Sequence, residues 1–330
     1  MRRRTRTRVR TRAAVAITLA ALAAGCTIDP SGADGKPPSG AGGGGTVLAV
    51  KIDNVRPARP QTGLDSADIV YVEQVEAGLS RLMAVYASRF PSTVGPVRSA
   101  RETDLELLRQ FDDPVLAFSG AQSKLLPLID DAPVRAVPPG KAPGDAYYRG
   151  GGKVAPHNLF LRPEALKKDL PRAGAPQSAK SGDAPDGTGA LERAGIRFGP
   201  KPAGGTPDTR RTVRFPAARF TFDWVEYEGR WRVSMDGERA RTSDGKDLSP
   251  STVVVQYVKV RPSRFLDRAG SVSPFTETVG EGTARVLRDG RAYDARWKRS
   301  SAEDGTEFTT PDGKELPFAE GQVWVVYAKA

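Results

Sequence analysis

Apolar and polar positions along the chain follow two grammars. Between residues 46 and 170, apolar runs of strand length alternate with stretches of helical spacing. "TVLAVKID" (46–53) reads as a strand. "DIVYVEQVE" (68–76) reads as a second, with four consecutive apolar positions, the pattern of a strand buried on both faces. "AGLS" is a turn and "RLMAVYAS" (81–88) a third strand. A helix is expected from Ser99, where "SARE" has the Ser-x-x-Glu spacing of a capping box and Leu105, Leu108 and Phe111 continue the spacing. "PVLAFSG" (114–120) gives a further strand and "AQSKLLPLI" a short helix. Pro163 opens a helix that "EALKKDL" would continue.

From residue 211 the pattern alternates at the period of a strand. "ARFTFDWVEYEGRWRVSM" predicts a hairpin turning near Glu228–Gly229, and "TVVVQYVKV" (252–260) a central strand. "ARVLRDGRAYDARW" and "EFTTPDGKELPF" turn at Asp289–Gly290 and Asp312–Gly313, because Asp-Gly supplies the backbone a tight hairpin needs. "GQVWVVYA" is a last strand. The region between the halves is dense in Gly, Pro, Ala and Lys. The expected layout is therefore an α+β chain: a domain of mixed strands and helices over 46–180, a low-complexity loop over 181–210, and a β-rich domain over 211–330.

The first residues follow neither grammar. Seven arginines stand before an uncharged run, residues 13–25, which is shorter than the roughly 20 residues a membrane-spanning helix requires. This is the pattern of a secretory signal over 1–25. It ends in "LAAGC", which resembles a bacterial lipobox, with Ala23 where leucine is usual; the resemblance implies that Cys26 is lipidated and becomes the mature N-terminus. Residues 26–45, ending in "GAGGGG", form a flexible tether. Removing the seven arginines from the formal net charge of +11 leaves +4, an ordinary surface that does not point to nucleic acid.

Candidate chemistry is sparse. The chain has one cysteine and one histidine, so with Cys26 acylated no disulfide framework or cysteine nucleophile remains. No metal or cofactor site is expected. The charged groups concentrate at strand ends. Asp53 and Asn54 close the first strand, Arg59 follows between prolines, and Glu73, Glu76 and Arg81 flank the second turn. Arg98 and Arg101 bracket the expected helix start, where positive charge opposes the helix dipole unless an anion or carboxylate offsets it. That offset has two possible sources: Glu73 and Glu76 inside the protein, or a bound carboxylate or phosphate. Asp53 is either a site group at a strand end or the cap of its own turn. His157 and Asn158, in "APHNLF", are either structural or part of the same polar ledge.

"VKIDNVRPARPQTGLDSADIVYVEQVEAGLSRLMAVYAS", "VGPVRSAR" and "APHNLF", with "DGRAYDARWKRS" and "DGKELPFAEGQVWVVY" near the C-terminus, resemble the YerB-like bacterial lipoproteins, a family of unknown function. The resemblance covers residues 46–330. It implies a two-domain α+β envelope lipoprotein with a layered core of mixed sheet and helices, lipid-anchored on the extracytoplasmic face of the membrane, and it supplies no reaction. Two functions fit: a binding or scaffolding module for an anionic cell-wall component or an envelope protein, or an envelope hydrolase or glycan-active enzyme using a carboxylate with His157.

Overall fold

The computed structural model describes residues 47–166, 186–267 and 270–330. The signal segment, the tether, Cys26 and the continuation of the helix expected at Pro163 lie outside them. Apolar runs from both halves of the sequence enter one sheet. The first half supplies β1 (Leu48–Asp53), β2 (Ile69–Gln74), β3 (Ser80–Tyr86), β4 (Val115–Ala117), β5 (Arg135–Ala136), β6 (Tyr147–Arg149) and β7 (Leu159–Leu161), with helices α1 (Glu102–Leu108) and α2 (Leu126–Asp131). After α3 (Asp186–Arg193) come β8 (Thr206–Pro207), β9 (Arg210–Phe215), β10 (Ala218–Val225), β11 (Arg230–Met235), β12 (Glu238–Arg239), β13 (Thr252–Val258) and β14 (Val260–Leu266). The chain ends with β15 (Val272–Thr276), β16 (Gly280–Arg288), β17 (Arg291–Arg299), β18 (Glu307–Thr309) and β19 (Val323–Lys329).

The main sheet has 11 strands in the order β18-β17-β16-β13-β19-β2-β3-β1-β4-β5, with β8 on β17. The last strand joins the halves: β19 runs parallel to β13 on one side and to β2 on the other. Alternation along the central strands sorts side chains onto two faces. Val50, Ile52, Val70, Val72 and Trp324 pack with Phe220, Phe222 and Trp231 of a second sheet, ordered β12-β11-β10-β9. Ala49, Ile69, Tyr71 and Val325 pack with Leu107, Leu108, Ile129 and Leu191 from the three helices. The result is a layered α+β structure: helices, large sheet, small sheet. Burial on both faces is why β2 reads as an unbroken apolar run.

A second tie is polar. Arg299 on β17 is 1% exposed and donates to the carbonyls of Glu106 (3.0 Å) and Leu107 (3.4 Å), the end of α1, and to the hydroxyl of Thr278 (2.9 Å). A helix end leaves carbonyls without intrahelical partners, and a guanidinium there satisfies them. The described residues fall within one compact unit, Gly42–Ala330.

Two local expectations are corrected. The helix starts at Glu102, not Ser99, because Ser99 and Glu102 have other partners: Glu102 accepts from Ser263 (2.6 Å). Asp104 does the capping instead, accepting from the Arg101 N–H (2.7 Å). The span 181–210 holds α3 and β8 rather than only a loop, since Ala190, Leu191, Ala194 and Ile196 bury against the helical layer. The β10–β11 hairpin and the β16–β17 turn form where expected, and Asp289 and Gly290 both take positive φ, as their turn requires.

Candidate functional site

Asp53 is the last residue of β1 and is fully buried, so its carboxylate must find partners. Three parts of the chain deliver them. The β1–β3 register sets Arg81 opposite Asp53, and an Arg81 terminal nitrogen lies 3.4 Å from Oδ1. The segment 95–98 is stitched to β1 by an Arg98 N–H to Lys51 carbonyl bond (2.7 Å), which brings the Arg98 Nε to 3.3 Å from Oδ2. The loop between β6 and β7 brings His157 Nδ1 to 2.8 Å from the same oxygen. A carboxylate partner places the proton on Nδ1, leaving Nε2 as the ring's remaining nitrogen. Oδ1 also receives the Val55 N–H at 3.5 Å, the turn-capping contact considered for Asp53.

Behind this group lies a second network. Lys51, fully buried in the apolar β1, pairs with Glu73 and with Asp104 (2.7 Å). Burial pulls the Lys51 pKa down, and Asp104 opposes the pull. Asp104 fixes the Arg101 backbone. The Arg101 side chain makes a two-pronged pair with Glu76 (2.7 and 2.8 Å) and donates to the Ser99 and Ala100 carbonyls (3.1 and 3.0 Å). Ser273, from β15, also donates to Glu76. Burial alone would raise the Glu76 pKa; the Arg101 bonds overcome it and hold the carboxyl at about 2.

The ledge expected from sequence therefore divides. Asp53, Arg81, Arg98 and His157 converge. Glu73 is spent on Lys51, and Glu76 and Arg101 on each other, so these three are framework rather than ligand groups. Asn54 and Arg59 turn away. Asn54 bonds Ser80 (2.9 Å) and Gln61 (2.9 Å), while Arg59 reaches Asp236 (2.9 Å) and the Met235 carbonyl (3.3 Å) at the β11–β12 turn. They clamp the first strand to the small sheet.

Arg81 and Arg98 of this group, though not Asp53 or His157, line a cleft of about 1280 Å³ together with Arg101 and Arg149, among others. Arg149 was not picked out by sequence reasoning. It is held by Asn158, whose side-chain Oδ1 accepts from it at 2.7 Å. The signal was present in "YYRGGGKVAPHN", where a basic residue precedes a glycine turn that folds back onto Asn158. Charge is layered along the wall. The carboxylates of Asp53, Glu73, Asp104 and Glu76 are buried at the back, while Arg98 keeps 25% side-chain exposure and Arg149 is exposed. The Arg98 Nε lies 3.3 Å from Asp53, and the two terminal nitrogens of Arg98 make no hydrogen bond among the described residues. Glu76, Glu102 and Asp267 also line the cleft, against four arginines, so its wall is mixed in charge with an excess of donors. Among the described residues, no three His, Cys, Asp or Glu side chains cluster as a metal site. Tyr148, also on the wall, is already stacked on Phe160 and carries the Arg162 guanidinium 4.1 Å from its ring centre.

Residues 36–176 match the family described as "Protein of unknown function (DUF3048) N-terminal domain", and residues 211–325 match its C-terminal domain. The chain is 25% identical over 278 residues to the Bacillus subtilis (strain 168) protein named "Putative lipoprotein YerB", spanning 84% of this chain and 80% of that protein. The crystal structure of YerB protein from Bacillus subtilis matches with a TM-score of 0.68 at 21% identity, covering 87% of this chain and 92% of that one. The layered fold is shared.

Proposed function

The chain belongs to the DUF3048 family, and on that footing we propose that it is a lipoprotein of the cell envelope, anchored through Cys26 on the extracytoplasmic face, whose cleft binds an anionic envelope component. The observation that carries this is Arg98: a guanidinium fixed from behind by a buried aspartate, its terminal nitrogens open, in a cleft that also holds Arg149. A guanidinium held by one edge presents the other in the fork geometry that carboxylates and phosphates accept. Its test is thermal shift of the Gly42–Ala330 unit with acidic peptidoglycan fragments, read alongside mass spectrometry of the fragments. A raised melting temperature that Arg98→Gln abolishes, with fragment masses unchanged, is the expected result. No shift with any acidic fragment rejects the proposal.

One observation favours a second reading, an envelope hydrolase. The Asp53–His157 pair orients an imidazole as a general base would be oriented. On that reading the fragments change mass, and His157→Ala stops the change.

A further inference from the structure

The cleft is too large and too apolar for a small anion alone. Ligand pockets run from about 300 to 1,000 Å³, and this one reaches about 1280 Å³. Beside the arginines its lining includes polar groups, Glu102 and Asp267 among them, and the apolar Leu79, Pro139, Phe265 and Leu266. The last two lie on β14, so the second half of the chain closes a cleft whose cationic wall belongs to the first. Leu266 is 46% exposed at the rim, and its cross-strand neighbour Val272 is 50% exposed. Leu266, with Leu79 and Pro139, gives the cleft an apolar stretch beside its arginines.

We propose that the ligand is an anionic amphiphile: a phosphate or carboxylate head held by Arg98 and Arg149, with a single hydrocarbon chain lying along Leu79, Pro139 and Leu266. This rests on the anion reading of the same cleft and narrows it to a class of molecule. The head replaces water at the open Arg98 nitrogens. The tail covers Leu79, Pro139 and Leu266, the apolar lining residues that keep open surface, and burial of hydrocarbon then adds to affinity in proportion to chain length.

The test is calorimetric titration of Gly42–Ala330 with methyl, octyl, decyl and dodecyl phosphate below their micelle concentrations, with dodecyl maltoside as the neutral tail. Affinity should tighten by roughly tenfold for each added pair of methylenes. Arg98→Gln and Arg149→Gln should each weaken dodecyl phosphate at least tenfold. Leu266→Ser, at an exposed site where folding is not at risk, should weaken dodecyl phosphate severalfold while leaving methyl phosphate unchanged. Arg149→Gln keeps the head-group arm decisive if Arg98→Gln, by stripping a partner from Asp53, fails to fold. Affinity independent of chain length overturns the amphiphile and leaves the anion reading standing. Equal binding of dodecyl maltoside, or no binding of any phosphate, overturns both. Wild-type affinity in Leu266→Ser places the tail elsewhere and also overturns the inference.

Discussion

Lys51→Met tests whether the buried ion network holds the first domain's polar wall in place. The substitution preserves the aliphatic stem inside β1 and removes only the ammonium. Lys51 is fully buried, as is Asp104, and Glu73 is 4% exposed. The variant therefore leaves two carboxylates facing each other without a cation. Removing one partner of a buried ion pair costs about 3–5 kcal/mol, most of it the penalty of the stranded charge. For a domain of this size that corresponds to a melting temperature lower by on the order of 10 °C. Urea denaturation followed by tryptophan fluorescence reads the change, since Trp231 and Trp324 are fully buried. The double variant Lys51→Met/Glu73→Gln removes the repulsion and should recover a substantial part of the loss. A single-variant loss under about 1 kcal/mol, or a double variant no more stable than the single, would refute the reasoning.

Acid should expose a second contribution. Glu76, lowered from 4.5 to about 2 by Arg101, adds stability that is complete above its unfolded pKa and fades as pH falls from about 4.5 to 2. The shift is worth about 3 kcal/mol, and Glu76→Gln should flatten that part of the stability-against-pH curve. Arg299→Ala should cost about 2–4 kcal/mol, because it strands carbonyls at the end of α1, and amide exchange should rise there first. Trp324→Ala should cost about 3–5 kcal/mol, since the ring fills the space between the sheets with Phe220 and Phe222 at 6.3 and 6.1 Å; calorimetry checks it. Arg59→Ala should lower stability while leaving anion binding intact, because Arg59 faces Asp236 rather than the cleft.

Much of this was written locally in the chain. Strand period, the Asp-Gly turns and the polar break at Asp53–Asn54 predicted β1 to β3 and two hairpins, and marked Asp53, Arg98 and His157 as candidates for one polar ledge. Pairings between distant segments were not legible. Nothing local says that β19 slides in parallel between β13 and β2, since any apolar strand could fill that slot. The capping of α1 went to Asp104 rather than to the Ser99–Glu102 pair because Ser263, remote in sequence, took Glu102. Lys51 did leave a trace: a lysine inside an otherwise apolar strand needs buried counter-charges, and Glu73 supplies one from the neighbouring sequence block. Arg149 left little, because its role depends on a loop folding back to Asn158.

The most direct test of the central claim is a calorimetric titration of acidic peptidoglycan fragments into Gly42–Ala330 and its Arg98→Gln/Arg149→Gln variant across a range of salt concentrations. The account predicts saturable binding to the native protein that weakens as salt rises and is absent from the variant. Binding of equal strength to both proteins, or none to the native one, would contradict it.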